Sequence, residues 1–278
     1  MKIQYLGTAA AEGVPALFCE CENCTRSRAL GGRNIRSRSQ ALVDETILID
    51  FPADTYMHFL LHSLPMHRLH TCLITHSHSD HLYPADLEMR RDFLAHLSDK
   101  ATPMTFYSDR SGFDLITQEI RRHDLRENEI LCRLVIPFVP FPAEGYTITP
   151  LRANHDPASS PVLYILEKDG KSLFYSNDTG EYPEETWEYL KNRRSPLSLI
   201  SLDCTEAYRH SDFPGHLDLW RCLEVRKRLL ADGAADENTI FVLNHFSHNG
   251  IGSVYEDFSK VAAEYGFLVS YDGMTVEF

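Results

Sequence analysis

The hydrophobic pattern predicts an α/β fold in which two β-sheets pack together with helices outside. Three observations point to it. Short apolar runs bounded by turn residues recur along the chain, and two pairs of them read as hairpins. Other runs stand alone and lead into stretches of helical period, the strand–loop–helix unit of layered proteins. No repeat, low-complexity tract or linker interrupts them, so residues 1–278 are expected to form a single domain.

In chain order, Met1–Leu6 is strand-like. Gln40–Asp50 (QALVDETILID) is a hairpin turning at Asp44-Glu45, and Thr71–Thr75 is a buried strand ending at a histidine-rich loop. Tyr146–Leu151 is a further strand, and Pro161–Ser176 holds a second hairpin turning at Asp169-Gly170. Leu197–Asp203 and Thr239–Asn244 are short apolar strands. Helices are expected at Pro84–Leu97, Phe113–His123, Pro183–Asn192, His216–Ala231 and Val254–Tyr265. Residues 84–128, with Arg90, Arg91, Arg121 and Arg122, read as a helical insertion beside the site.

Acidic residues outnumber basic ones, 40 to 27, for a formal charge of −13. Such a surface repels nucleic-acid phosphates and anionic lipid, which argues against a broad nucleic-acid surface or a membrane partner. A local pocket could still hold one phosphate. Met1–Leu6 lacks the basic flank and apolar stretch of a signal peptide. No run approaches the roughly 20 apolar residues of a membrane span. The seven cysteines are an odd number: Cys19, Cys21 and Cys24 crowd together, while Cys72, Cys132, Cys204 and Cys222 lie scattered in apolar runs. That is the pattern of a cytoplasmic protein with one metal-type cluster, not of a disulfide framework.

The chemistry concentrates in two motifs. The first is Thr75-His-Ser-His-Ser-Asp-His81, directly after a buried strand. It offers four ligands in close succession, His76, His78, Asp80 and His81, separated by small serines that let the rings converge. Neutral imidazole and carboxylate suit zinc, manganese or iron. The second is Cys19-Glu-Cys21-Glu-Asn-Cys24, whose thiolates would form a tetrahedral zinc site with one imidazole.

The His-x-His-x-Asp-His run resembles the defining element of the metallo-β-lactamase superfamily. The resemblance implies an αββα four-layer sandwich, two divalent catalytic metals (zinc or manganese) and further ligands in a set order. Candidates stand in that order at the ends of apolar strands: His155 after Tyr146–Leu151, Asp178 after Ser172–Ser176 and His245 after Thr239–Asn244. By this analogy His76, His78 and His155 hold one metal. Asp80, His81 and His245 hold the other, Asp178 bridges them, and Asp50 orients a ligand from behind. Two cations beside one water lower its pKa and neutralise charge growing on phosphoryl oxygens.

The cysteine cluster resembles the phosphoribosyl cyclic phosphodiesterase branch of that superfamily, known from the carbon–phosphorus lyase pathway. There the fourth ligand of a structural zinc lies three residues beyond the last catalytic histidine, a place His248 fills. The branch also places a catalytic histidine before a helix, and His216 in Gly215-His216-Leu217 matches it as a proton donor to the leaving group.

The expected function is thus hydrolysis of a small phosphodiester, a cyclic ribose or nucleotide phosphate among the candidates, and a homodimer is compatible with it. An RNA-processing endonuclease shares the ligand set but needs the basic surface this chain lacks. Asp80 in place of a cysteine, itself a catalytic carboxylate by family precedent, favours phosphoester over β-lactam or thioester chemistry. A quinone-cofactor branch also carries the three-cysteine element but departs from the catalytic motif. His58 and His62, four apart, with His67 and His70 beyond, are read as packing and surface residues, and Arg90 and Arg91 as a solvated helix face.

Overall fold

Two tight turns set the strand register. In the computed structural model, which describes residues 1–250 and 254–278, Asp44 (φ 46°) and Glu45 (φ 57°) are both left-handed, as are Asp169 (φ 50°) and Gly170 (φ 75°). That is the two-residue turn whose twist matches paired strands. Both hairpins turn where the sequence places them.

The strands are β1 (Lys2–Gly7), β2 (Gln40–Val43), β3 (Ile47–Ile49), β4 (Thr71–Leu73), β5 (Met104–Ser108), β6 (Ile130–Leu134), β7 (Phe141–Ala143), β8 (Tyr146–Arg152), β9 (Val162–Lys168), β10 (Lys171–Ser176), β11 (Leu199–Asp203), β12 (Ile240–Asn244), β13 (Leu268–Val269) and β14 (Thr275–Glu277). Among the described residues they form two seven-stranded sheets, ordered β14-β1-β2-β3-β4-β5-β6 and β13-β12-β11-β10-β9-β8-β7. The helices are α1 (Glu22–Leu30), α2 (Thr55–His62), α3 (Arg110–Arg122), α4 (Glu184–Lys191), α5 (Leu219–Ala231) and α6 (Tyr255–Glu264).

Alternation along each strand explains the layers. On β3, Ile47 and Ile49 enter the core between the sheets, while Leu48 enters the outer one. On β10, Leu173 and Tyr175 face inward and Phe174 outward. The outer face of the first sheet packs Leu48, Cys72 and Phe106 against Ile116 of α3. The outer face of the second packs Phe174 and Leu202 against Trp187 of α4, Leu219 and Val225 of α5 and Phe258 of α6. Three apolar cores between four layers make the expected αββα sandwich. Each fully buried Leu, Ile or Phe contributes roughly 1.5–3 kcal/mol. Strands β3 to β6 run parallel, as do β10 to β12, so several chain reversals fall at one edge of the sandwich.

Residues 84–128 are not a helical insertion. Within them β5 pairs in parallel with both β4 (Thr71↔Thr105) and β6 (Met104↔Ile130), inside the first sheet. Its alternating burial is the strand signal, short enough to be lost between the helical stretches on either side. Pro84–Arg90 is a 3-10 helix rather than the start of an α-helix to Leu97. Arg90 is no solvated helix face either: its guanidinium donates to Glu129 O (3.0 Å) and Thr102 O (3.2 Å).

Candidate metal centre

Where strands stop at the shared edge, polar residues take over. Asp50 follows β3, His76 to His81 follow β4, His155 follows β8, Asp178 follows β10, Asp203 ends β11 and His245 follows β12. Asp50 (φ 65°), Asp178 (φ 58°) and His245 (φ 66°) are held in left-handed backbone, which Asp and His tolerate better than most residues. Strain of this kind clusters at functional sites, because it turns a side chain out of the strand's line.

The side chains converge. Donor atoms of His76, His78, His155 and Asp178 all lie within 4.8 Å of one another, as do those of Asp80, His81, Asp178 and His245. These are the two predicted ligand sets, with Asp178 common to both. His76 Nε2 and His81 Nε2 approach Asp178 Oδ2 to 3.1 and 2.9 Å. Asp50 lies behind this array: His81 Nδ1 donates to its Oδ2 (2.7 Å), and the Thr75 N–H to its Oδ1 (2.8 Å).

Asp203 is the residue the sequence reading missed. It ends an apolar strand (LISLD) just as Asp50 ends ILID, and that parallel was the available signal. Fully buried, it accepts from the Asp178 N–H (3.1 Å) and Leu217 N–H (2.8 Å), and faces His216 Nδ1 (3.3 Å) and His245 Nδ1 (3.4 Å). Asp178, Asp203, His216 and His245 form a further convergent group. His216 therefore belongs to the site.

Electrostatics fit a cation. Asp50, Asp80, Asp178 and Asp203 are all buried, and among the described residues their ion partners are histidines, never lysine or arginine. Burial opposes the charge on Asp178, yet His245 and His76 hold its carboxyl well below the usual range. Burial likewise opposes the His216 cation, but Asp203 outweighs it and raises the group to about 9. His155 is pushed the other way, to about 4, chiefly by burial. His76 Nε2 and Asp178 Oδ1 are buried without a well-formed hydrogen bond. Lone pairs that converge on a common point rather than on each other are what a metal needs.

The cysteine site lies beyond His245. Cys19 Sγ and Cys21 Sγ stand 3.4 and 3.6 Å from His248 Nδ1, and Cys24 completes a group within 4.8 Å. Cys21 also caps α1, its sulfur accepting from the Cys24 N–H (3.4 Å). Burial disfavours its thiolate, but His248 and the Cys24 amide bring it down to about 6. Glu12 sits 3.6 Å from His248 Nε2, behind the ring.

Elsewhere, His58 is buried among Gln40 Oε1 (2.6 Å) and Ser37 Oγ (2.7 Å), a packing residue as expected. No described helix is long and apolar enough to cross a membrane.

A double sandwich with a strand-edge cluster of histidines and carboxylates defines a metal-dependent hydrolase of the metallo-β-lactamase fold. A sequence model of the beta-lactamase superfamily domain matches residues 45–237, and the chain belongs to that superfamily. No curated protein matches the sequence. Among solved structures, a diphosphatase of the PhnP family superposes with TM-score 0.77 at 19% identity, covering 100% of this chain and 97% of that one. Zinc-bound PqqB from Methylobacterium extorquens gives 0.75 at 18% identity, with 100% of both chains covered. The short form of human tRNase Z gives 0.64 at 16%, covering 100% and 99%. At these identities the likeness is one of fold.

Proposed function

We propose that this chain is a phosphodiesterase acting on a small diester, with two divalent metals held by His76, His78 and His155 and by Asp80, His81 and His245, and with Asp178 shared. The observation that carries the proposal is the place of His216 beside the shared carboxylate, its Nδ1 3.3 Å from Asp178 Oδ1 and 3.3 Å from Asp203 Oδ2. Divalent cations bound there would supply Lewis acidity toward the diester's non-bridging oxygens and activate a water near neutral pH.

The chain's own residues do the rest. Asp178 fixes the anionic middle of the site. Asp203 holds the His216 ring and favours its proton, which is available to the departing alkoxide. Phe213, half-exposed, lies 5.4 Å from His216 ring to ring and forms an apolar wall at that end. The cysteine group with His248 is proposed as a structural zinc site. A net charge of −13 favours a small substrate over a folded RNA.

The test is a panel on metal-loaded protein: cyclic and linear phosphodiesters, a nitrophenyl diester, a phosphomonoester, a β-lactam and a phosphoanhydride, the last because one structural neighbour is described as a diphosphatase. Diesters should be preferred. His216→Ala should cost roughly 10²–10⁴-fold on a ribose-type leaving group, the range of general acid catalysis, and far less on the nitrophenyl diester. Equal losses would make His216 a binding residue, and no wild-type diesterase activity would end the proposal.

A further inference from the structure

We propose that Thr205 is a positioning residue that, together with Asp203, fixes the Nδ1–H side of two histidines at once, the candidate ligand His245 and the candidate acid His216. Its hydroxyl lies 2.9 Å from Asp203 Oδ2, 2.8 Å from His245 Nδ1 and 3.2 Å from His216 Nδ1. A threonine hydroxyl has one proton to donate and two lone pairs to accept with. An ionised carboxylate only accepts, so the proton goes to Asp203. The lone pairs are then left to the two imidazoles, and each must present an Nδ1–H.

The consequence falls on the far side of each ring. With Nδ1 protonated, His245 Nε2 carries a free lone pair where it faces the centre, 3.2 Å from His81 Nε2 and 3.7 Å from Asp178 Oδ2. For His216, the same bond fixes the ring so that Nε2 is the nitrogen left for proton transfer. Thr205 is itself fixed: it is buried, its N–H donates to Asp203 Oδ1 (3.1 Å), and its carbonyl accepts from the Ser247 N–H (3.0 Å). The other half of the site holds a related pair. Thr75 Oγ1 donates to Asp50 Oδ1 (2.9 Å) and stands 3.2 Å from His76 Nδ1, while His81 Nδ1 donates directly to Asp50 Oδ2 (2.7 Å). An aspartate–threonine pair thus aims two histidines from each sheet.

The role at His245 needs only that the centre binds metal; the role at His216 rests on the phosphodiesterase reading. Two matched pairs isolate the hydroxyl, wild type against T205V and T205S against T205A, each compared for metal affinity by calorimetry and for turnover on poor and good leaving groups. T205V and T205A should lose roughly 10- to 100-fold in metal affinity, the usual effect of removing a partner behind a ligand. Their kcat should fall more on the ribose-type diester than on the nitrophenyl one, with KM little changed. T205S should stay near wild type in both respects. If T205V does not fold, the serine–alanine pair decides alone. Serine as defective as alanine, or alanine with wild-type metal affinity and leaving-group dependence, overturns the proposal. Should the wild type cleave neither diester, the phosphodiesterase reading fails, and metal affinity still settles the role at His245.

Discussion

The two candidate metal sites share the short segment from His245 to His248 and differ in almost everything else. The histidine–aspartate centre draws residues from both sheets, is buried apart from the half-exposed His78, and is backed by hydrogen bonds from His81 to Asp50 and from Thr205 to Asp203. The cysteine site is built from one loop and one histidine, with Cys21 exposed, and its contacts are weak sulfur hydrogen bonds. One is a preorganised pocket into which cations fit. The other is a clip between the loop after β1 and the loop after β12, which already meet through Phe246 N–H to Thr8 O (2.8 Å) and Asn23 Nδ2 to His248 O (2.8 Å), and which a metal would tighten. Removing a residue from the first should therefore cost function before stability, and from the second stability before function.

The largest effect should come from Asp178→Ala. The substitution takes away the one carboxylate common to both ligand sets and leaves His76, His81 and His245 facing each other across the gap. Activity should fall well beyond the roughly 10- to 100-fold of a change behind the ligands, and elemental analysis should find at least one metal gone, with the melting temperature little altered. A protein that keeps both metals and full turnover would remove Asp178 from the centre. Asp203→Asn is the milder version. It keeps the shape but discards the charge that holds the His216 proton, so turnover on a poor leaving group should drop about 10- to 100-fold. Unchanged turnover would reduce Asp203 to a packing residue.

The same contrast explains what was legible in the sequence. His76, His78, Asp80 and His81 announce themselves by crowding, as do the three cysteines. His155, Asp178 and His245 are isolated residues at strand ends and became candidates only through a known order of ligands. Asp203 and Thr205 stayed hidden, because a lone Asp or Thr after an apolar run is ordinary, and only long-range packing brings β11 beside β10 and β12. Both hairpins were readable, since left-handed turns demand particular residues. Strand β5 was not: it is only five residues long, and its partners β4 and β6 lie more than twenty residues away in sequence.

Cys21→Ser tests the other half of the comparison. Losing one thiolate should abolish zinc binding at the clip and lower the melting temperature, by roughly 2–4 °C for each kcal/mol lost in a chain of this size. The catalytic metals should stay bound, and kcat should fall less than in Asp203→Asn. A variant with wild-type zinc content and melting temperature would show that the cysteine group holds no structural metal.

Acid would act on both sites, so its effect on the fold must be separated from its effect on metal release, and His58 offers the means. It lies in neither site, enclosed by Gln40, Ser37, Asp54 and His62, with Asp272 behind Ser37. Burial, only partly offset by Asp54, lowers its pKa from 6.5 to about 4. The unfolded chain thus binds a proton that the folded chain refuses between those two values. Stability is full above about pH 6.5, falls as pH drops toward about 4, and loses nothing further from this group below that. A shift of this size corresponds to at most roughly 3 kcal/mol. His58→Gln, uncharged at every pH, should flatten that part of the curve of urea midpoint against pH while leaving the pH of metal loss where it was. If the variant and the wild type lose stability with the same slope from pH 6.5 to 4, the acid sensitivity lies in the metal sites and not in His58.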